Sequence, residues 1–381
     1  MTTSPEVLSL GMVGGGAGSQ IGPTHQMAAR LDGLFRLTAG ALDVDAERGR
    51  TQAVALGISP DRAYGDWRRM LDVERQRADR LDLVTVATPN STHYEIARAF
   101  LDAGFNVLCE KPLTTHVADA VRLREAAAAN DRLLAVNFCY AGYGMVHQAR
   151  EMVEAGELGD VRVVVAEFAH GFHADAEAGA DDPRVRWRYD PAEAGNSAIL
   201  ADCGIHALHL ATFVTGQCIE SLSADFAACV PGRQLEDDAH LALRLSGGVR
   251  GRLWASSIAV GNNHGLTLRV YGSRGGLRWA QESPNQLYWT PLHGSTQVLE
   301  RGGPALHPES TALSRVPTGH PEGFISALGN IYRGIHGQVS GTGVWHHPIP
   351  DVSDGEAMVR VVHAAACSAD AAGVWVRLDA V

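Results

Sequence analysis

Apolar runs and amphipathic segments alternate along the first 140 residues of the chain. Runs of apolar residues bounded by turn residues predict strands at 7–13, 35–42, 83–87, 106–108 and 133–138. Apolar residues with a period of 3.6 predict helices at 23–31, 46–55, 94–103 and 117–129. Because strands and helices alternate, we expect an α/β domain of the Rossmann type, with a doubly wound parallel sheet.

The pattern changes after about residue 140. A further helix is predicted at 145–155, and strands with short turns between them follow at 161–168, 221–229, 239–245, 250–256 and 266–271. Glycine-containing turns at 246–248 and 273–276 are typical of hairpins. We therefore expect two domains, 1–140 and 141–381, the second an α+β domain with a large, mainly antiparallel sheet. Two long turn-rich segments, 171–184 and 281–319, are predicted to be lids or subunit contacts.

Composition narrows the classes of function. The formal net charge of −11 disfavours binding to nucleic acids or anionic membranes, since both need a basic surface on the protein. No secretory signal precedes Leu8, and no apolar stretch approaches the roughly 20 residues that span a bilayer. The six cysteines include no C-x₂-C pair, so reduced thiols and a cytoplasmic location are expected.

A glycine-rich turn follows the first predicted strand. Gly14 and Gly16 fit the pattern G-x-G-x-x-G, in which glycines let the backbone approach a pyrophosphate at a helix amino terminus. The third position is Ser19, and a turn that is longer by two residues would make Gly22 the glycine on which the helix packs. The residues expected to contact a dinucleotide are Gly14, Gly16, Ser19, Gln20 and Ile21. A glycine-rich turn without a ligand is the alternative.

An acidic residue, Asp43, ends the second predicted strand. A carboxylate at this position accepts hydrogen bonds from both ribose hydroxyls and repels a 2′-phosphate, which favours NAD over NADP. Asp43 could instead cap the following helix, although Asp45 is the better candidate for that role. Arg48 and Arg50 lie close in sequence and weaken the argument against NADP.

Three predicted strands end in polar residues, at the edge where open α/β sheets bind ligands. These residues are Thr88, Asn90 and His93 after one strand, Glu110 and Lys111 after the next, and Asn137 near the end of the last. Pro112 stiffens the chain directly after Lys111. A lysine ammonium at this edge can bond a substrate hydroxyl and stabilise the alkoxide as a hydride leaves.

The second predicted domain supplies Asp202 and His206, which share one face of a helix at i, i+4 spacing. His206 could accept the proton that a hydroxyl loses, while Asp202 orients the imidazole or holds a neighbouring hydroxyl. The alternative is structural, with Asp202 as a helix N-cap and His206 as a buried, hydrogen-bonded residue. A metal site would need a third ligand from His170, His173 or His209, and no metal is predicted.

Together these motifs resemble a known family. The glycine-rich turn, T-P-N-x-x-H, C-E-K-P-L and D-x-G-x-H resemble the glucose–fructose oxidoreductase, inositol dehydrogenase and MocA family over nearly the whole chain. Segments 187–191 and 319–323 are similar to the branch that contains levoglucosan dehydrogenase and related sugar and inositol dehydrogenases.

The resemblance implies a role for each matching residue. Lys111 would contact the reacting hydroxyl, His206 would be the acid/base residue, and Asp202 would be its partner or a substrate ligand. Five residues would surround the substrate or the nicotinamide: Asn137, Tyr140, Trp187, Arg188 and His320. Trp187 could equally be a core aromatic residue, and His320 could lie in a subunit interface. Many members carry an aspartate at the position of His209, which leaves the detail of the proton relay open.

The residues and the resemblance predict an NAD-dependent dehydrogenase that oxidises a ring hydroxyl of a sugar, anhydrosugar or inositol-like polyol. The site would be a cleft between the domains, closed by residues 171–184, in a homodimer or homotetramer. One alternative is an enzyme that retains NAD and cleaves glycosides by transient oxidation and elimination. The other is a non-catalytic dinucleotide-binding regulator, although such a protein would be expected to lack Lys111 or His206.

Overall fold

The computed structural model of the protein describes residues 5–175, 187–341 and 347–381. The chain forms two compact units. The first contains Met1–Thr114, Ala118–Gly142 and Phe324–Glu356, and the second contains Thr115–Val117, Tyr143–Gly323 and Ala357–Val381. No helix in the described ranges is long and apolar enough to cross a membrane.

Four strands and five α-helices precede residue 130, and a short fifth strand follows them. The strands are β1 (Leu8–Gly14), β2 (Phe35–Ala41), β3 (Leu83–Ala87), β4 (Asn106–Cys109) and β5 (Leu134–Val136). The helices are α1 (Gly22–Arg30), α2 (Ala46–Ala55), α3 (Trp67–Glu74), α4 (His93–Asp102) and α5 (Val117–Ala129). All strand pairs are parallel, in the order β2-β1-β3-β4-β5. The predicted doubly wound parallel sheet is therefore confirmed.

The other strands of the described ranges form one nine-stranded sheet. They are β6 (Val161–Ala169), β7 (Ile219–Ala227), β8 (Asp238–Leu245), β9 (Arg250–Ser256), β10 (Leu266–Gly272), β11 (Gly275–Ala280), β12 (Gln286–Pro291), β13 (Gln297–Glu300) and β14 (Val376–Arg377). Their order in the sheet is β13-β12-β11-β10-β6-β9-β8-β7-β14. The helices are α6 (Gly144–Glu154), α7 (Pro191–Ala194), α8 (Ile205–Thr215), α9 (Pro308–Ala312), α10 (Phe324–Ser340) and α11 (Val352–Asp370). Only the β6–β9 pair is parallel, so the sheet is mainly antiparallel, as predicted.

The sheet of the second unit has one covered face and one open face. Along β6, Val164, Ala166 and Phe168 are buried, while the alternate residues Val163, Val165 and Glu167 are at least partly exposed. Helix α8 packs against β6, β10 and α6, and nearly all of its residues are buried. A helix that is apolar on all sides belongs in a core. This packing fixes α8 and the turn before it, which carry the candidate catalytic histidine.

Two features differ from the sequence-based expectation. Residues 281–319 are not a long loop, because they contain β12, β13 and α9. Both strands are short and mostly part-exposed, and their sequences lack a clear apolar alternation. Pairing defines them, since β12 pairs with β11 and β13 pairs with β12. Residues 324–356, assigned from sequence to the second domain, pack in the first unit, where α10 lies against α1.

Candidate active site

The glycine-rich turn after β1 is tightly packed. Gly14 and Gly15 have φ values of +76° and +73°, a left-handed conformation that favours glycine. A Cβ atom on Gly22 would lie 2.0 Å from the Gly15 carbonyl oxygen, so α1 can approach the turn only with glycine there. The Gly22 N–H donates to Ser19 Oγ at 3.0 Å. Gly22 is thus the helix-packing glycine, as the longer turn predicted, and Ser19 caps the start of α1.

The carboxylate of Asp43 lies just beyond β2 and forms a bidentate ion pair. It accepts from Arg48 Nε at 2.7 Å and from Arg48 Nη2 at 2.6 Å. The hydrogen bond from Arg48 lowers the pKa of Asp43, which therefore stays ionised near neutral pH. Asp45 caps α2 by accepting from the N–H groups of Glu47 and Arg48, as expected. Asp43 remains available for a ribose, but with a cation beside it.

The carboxyl ends of the central strands meet at one edge of the parallel sheet. Gly14 pairs with Ala87, Val86 with Cys109, and Cys109 with Val136. The glycine-rich turn, Thr88, the Glu110–Lys111 pair and Asn137 all follow directly from these positions. Strand order reverses beside β1, and this is where open α/β sheets bind ligands. The expected clustering of these residues at one edge is confirmed.

Lys111 is the only lysine in the chain. Of the 32 lysine and arginine residues, the other 31 are arginines. Arginine is a permanently charged, planar fork, whereas lysine is a compact cation that can also exchange a proton. Every lysine or arginine position except 111 is an arginine, and the one lysine lies at the ligand edge. This exception points to a role that arginine cannot fill. Counting lysines would have revealed this signal from the sequence alone.

Glu110 and Asn137 point toward each other in the core of the first unit. Asn137 Nδ2 donates to Glu110 Oε1 at 2.5 Å, and His25 Nε2 lies 2.9 Å from the same oxygen. Both residues were expected to contact the cofactor, and here they bond to each other and to neighbouring protein atoms, including the Lys111 N–H, which donates to Glu110 Oε2 at 3.1 Å. His25 was not anticipated, because a histidine in the first turn of a helix carries no distinctive pattern.

His93 begins α4, as predicted, but its ring is fully buried. Nδ1 lies 2.8 Å from the Pro112 carbonyl oxygen and Nε2 lies 2.9 Å from the Thr88 carbonyl oxygen. Burial lowers the pKa of His93. The neutral ring has a single N–H, which can donate to one of these two carbonyl oxygens, so the ring lies between the ends of β3 and β4 and is bonded to one of them. Asn90 starts the short 3₁₀ turn before α4.

Asp202 lies inside a helical turn of the second unit. A π-helical turn, Leu200–Gly204, precedes α8, and the Asp202 N–H donates to the Ala198 carbonyl oxygen at 2.9 Å. The alternative of Asp202 as N-cap is therefore wrong. Glu236 holds the start of this segment by accepting from Ser197 Oγ at 2.6 Å and from the Ala198 N–H at 2.9 Å. Burial raises the pKa of Glu236.

Arg188 and Asp202 form an ion pair, with Nε and Oδ2 separated by 2.7 Å. The Arg188 guanidinium also lies over the Trp187 ring, 4.7 Å from its centroid. Trp187 is half-buried, so it is not a residue of the central core. His206 is buried at the start of α8, with its ring centroid 6.2 Å from that of Phe168. The structure thus brings together three of the residues expected around the substrate.

A cluster of histidines lies around the end of β6. Burial lowers the pKa of His170 to about 4 and also lowers the pKa values of His173 and His264. The Phe172 N–H donates to His170 Nδ1 at 3.3 Å, and the Tyr189 hydroxyl lies 3.0 Å from His173 Nδ1. These rings are neutral near pH 7. Within the described ranges, no group of three or more His, Cys, Asp or Glu side chains is arranged to hold a metal ion.

Two further predicted residues lie in separate places. Tyr140 is buried in the first unit, with its ring centroid 5.5 Å from that of Phe324. His320 is exposed in the second unit, and its carbonyl oxygen accepts from Arg301 at 2.6 Å. The predicted lid, 171–184, falls largely on residues 176–186, which lie outside the described ranges.

Comparison with known proteins identifies the family. Residues 8–138 match the model "Oxidoreductase family, NAD-binding Rossmann fold", and residues 146–278 match the GFO/IDH/MocA C-terminal domain. The chain is 36% identical to the uncharacterized oxidoreductase YfiI of Bacillus subtilis, over 96% of this chain and 95% of that protein. It is 25% identical to levoglucosan dehydrogenase of Pseudarthrobacter phenanthrenivorans, over 81% of this chain and 84% of that protein.

A solved structure is similar over nearly the whole chain. An inositol dehydrogenase homolog from Azotobacter vinelandii, in complex with NADH and myo-inositol, shares 40% identity and a TM-score of 0.91, with 98% of each chain covered. The turn fits the cofactor that the family model names, because its backbone leads directly into the amino terminus of α1. Glycine is required there by packing, since a Cβ atom would lie 2.3 Å from the Ala87 carbonyl oxygen at Gly14 and 2.5 Å from the Leu42 carbonyl oxygen at Gly16. The chain belongs to the GFO/IDH/MocA oxidoreductase family and is an oxidoreductase with an NAD-binding Rossmann domain.

Proposed function

We propose that the protein is an NAD-dependent dehydrogenase that oxidises a ring hydroxyl of a sugar, anhydrosugar or inositol-like polyol to a ketone. The observation that carries the proposal is the position of the sole lysine. Lys111 follows β4 at the sheet edge that also holds the glycine-rich turn. A cation at this edge is suited to stabilising negative charge that develops on a substrate oxygen.

The first unit would bind the cofactor and polarise the hydroxyl. The turn from Gly14 to Ile21 would hold the pyrophosphate and Asp43 the adenosine ribose. Bound NAD supplies the hydride acceptor. The Lys111 ammonium donates a hydrogen bond to the substrate oxygen and stabilises its alkoxide character as the carbon–hydrogen bond breaks.

The second unit would receive the proton. His206 is a histidine at the start of a rigid, buried helix, and imidazole exchanges protons near neutral pH. It accepts the proton of the hydroxyl, and the ketone forms as the hydride leaves the same carbon. Asp202, fixed by Arg188, would hold a neighbouring substrate hydroxyl with its remaining acceptor capacity.

The candidate site residues of the second unit are neutral or paired with an opposite charge, which suits an uncharged substrate. Arg188 is neutralised by Asp202, and burial keeps His170, His173 and His264 neutral. Neutral imidazoles and hydroxyls can both donate and accept hydrogen bonds, as polyol hydroxyls do. The related structure with myo-inositol and the relative named levoglucosan dehydrogenase support the same class.

The test is NADH formation from NAD with a panel of cyclitols, anhydrosugars and pyranosides, using wild-type protein and Lys111→Met. We expect turnover with at least one neutral cyclic polyol and a loss of at least about 100-fold in kcat for the variant. Undiminished turnover by Lys111→Met would contradict the role of the lysine. Glycoside cleavage without net NADH would instead indicate oxidation and elimination, and no reaction with any polyol would contradict the proposed activity.

A further inference from the structure

Five buried polar side chains in the first unit form a hydrogen-bond chain beside the sole lysine. Glu110 Oε1 is bonded to His25 Nε2 at 2.9 Å and to Asn137 Nδ2 at 2.5 Å. His25 Nδ1 lies 2.9 Å from the Tyr332 hydroxyl, which in turn lies 3.0 Å from Thr85 Oγ1. None of the five is more than 7% exposed. The five residues come from different parts of the fold. The hydrogen-bond chain is therefore formed by tertiary contacts, and no local sequence motif encodes it.

With an ionised carboxylate and a neutral His25 ring, the hydrogen bonds have one consistent direction. Glu110 can only accept, so His25 donates through Nε2, and its unprotonated Nδ1 accepts. The Tyr332 hydroxyl then donates to Nδ1 and accepts from Thr85. Because Thr85 is fully buried within β3, the hydrogen-bond chain ends in the core on that side.

The Glu110 carboxylate acts on Lys111 in two ways. Glu110 Oε2 accepts from the Lys111 backbone N–H at 3.1 Å, which fixes the start of the Lys111–Pro112 segment. Burial alone would raise the pKa of Glu110, but the hydrogen bond from His25, the Lys111 charge and the bond from Asn137 hold it below its usual value. The carboxylate and the ammonium are thus electrostatically coupled.

We propose that His25 and Tyr332 are positioning residues, which act through Glu110 to fix the Lys111 backbone and to keep its ammonium protonated. The inference deepens the proposed function and rests on the role assigned there to Lys111. The competing explanation is that the hydrogen-bond chain only ties α1 and α10 to the sheet. The two explanations differ in whether removal of the Tyr332 hydroxyl changes the titration of the Lys111 ammonium.

Other titratable groups that sense these charges are His93, Cys109 and Cys139. Burial lowers the pKa of His93 and raises the pKa values of both thiols. All three are therefore neutral near pH 7, so they add no charge to that of Glu110.

The single lysine allows a direct measurement. Protein labelled only with ¹³C-lysine gives one side-chain NMR signal, and its pH titration reports the Lys111 ammonium in the full-length enzyme without any assay of activity. The variants are Glu110→Gln, His25→Gln and Tyr332→Phe. The matched control is Tyr64→Phe, which removes another buried tyrosine hydroxyl in the same unit, bonded to Glu74 Oε1 at 2.8 Å.

We expect the titration midpoint to fall by about one pH unit or more in Glu110→Gln, since the carboxylate interacts electrostatically with the Lys111 charge and an opposite charge favours the ammonium. Tyr332→Phe and His25→Gln should shift it in the same direction by less, and Tyr64→Phe should not move it. If Tyr332→Phe and His25→Gln leave the midpoint unchanged, the inference is overturned, and the hydrogen-bond chain is only a structural tie, whatever Glu110→Gln does. A wild-type protein without polyol turnover would contradict the proposed function alone, because the titration is measured independently.

Discussion

At the scale of single residues, the choice of lysine over arginine is the most specific chemical feature of the chain. Both residues carry a positive charge, but the guanidinium is planar and does not lose its proton, whereas the ammonium is a compact donor. All lysine and arginine positions other than Lys111 carry arginine. A positive charge alone would not explain that exception, so the role of Lys111 must depend on the geometry of the ammonium or on its proton.

Lys111→Arg tests this distinction. We expect kcat for polyol oxidation to fall by at least about 100-fold, because a guanidinium cannot place one donor at the same point. The apparent affinity for NAD should change little. Steady-state kinetics with varied NAD and varied polyol separate the two effects. Full activity of Lys111→Arg would show that a positive charge at this position is sufficient.

The Asp43–Arg48 ion pair is the second feature at this scale. Removal of the carboxylate in Asp43→Ala frees the guanidinium, which can then bind a 2′-phosphate. We expect the preference for NAD over NADP, measured as the ratio of kcat/KM values, to fall by at least about tenfold. Asp45→Ala is the control, since it removes the cap of α2 and should lower stability by about 1 kcal/mol without changing that preference. An unchanged ratio in Asp43→Ala would contradict the role of Asp43.

At the scale of elements, strand ends were more predictable than side-chain environments. The apolar runs before Gly14, Thr88 and Lys111 identified the strands of the parallel sheet, because fully buried strands need continuous apolar sequence. The sequence also indicated that their polar ends would share an edge. The sequence could not show that Glu110 and Asn137 turn inward. Their partner His25 lies in α1, and Tyr332, which bonds His25, lies 307 positions from His25 in the sequence.

The strands that were missed have a related physical cause. β12 owes its conformation to pairing with β11, and β13, at the sheet margin, to pairing with β12. Short part-exposed strands carry little apolar periodicity. Likewise, α10 belongs to the first unit through contacts with α1 that sequence separation conceals. Arg333 pairs there with Asp32, with Nη2 and Oδ1 2.7 Å apart.

The histidine-rich end of β6 predicts a pH-dependent stability. His170 has a pKa of about 4 in the folded chain against 6.5 for the ordinary side chain. Between these values the unfolded chain binds more protons, so the free energy of unfolding falls as the pH falls from 6.5 toward 4. For His170 alone, the loss between pH 7.5 and pH 5 is about 2 kcal/mol.

His170→Asn should therefore show a smaller decrease in Tm between pH 7.5 and pH 5 than the wild-type protein. Differential scanning calorimetry at several pH values measures this slope. His293→Asn, at an exposed position, is the control and should retain the wild-type slope. Equal slopes for His170→Asn and wild-type protein would mean that His170 is not held neutral by its surroundings.

At the scale of the whole molecule, the open face of the nine-stranded sheet predicts self-association. It exposes Val163 and Tyr271 to 37% and 44%, and carries the stacked pair His240–Trp254, with ring centroids 6.1 Å apart. Apolar and aromatic side chains on a broad, regular surface are typical of subunit interfaces. We expect a homodimer or homotetramer, in line with the resemblance to the family.

Val163→Glu should reduce the molar mass measured by light scattering after size exclusion, because each new carboxylate would be buried in the interface. Val44→Glu alters a 99%-exposed residue of the first unit and should leave the mass unchanged. A wild-type protein that is monomeric at micromolar concentration would contradict the expectation.

In the proposed reaction, Lys111 assists the transfer of a hydride from a ring carbon to NAD. The most direct measurement uses a cyclic polyol deuterated at its carbinol carbons, such as myo-inositol, and follows deuterium in the reduced cofactor by mass spectrometry. We expect one deuterium per NADH with the wild-type enzyme, a primary isotope effect on the rate, and almost no labelled cofactor with Lys111→Met. Unlabelled NADH, or equal labelling rates in both proteins, would contradict this role of Lys111.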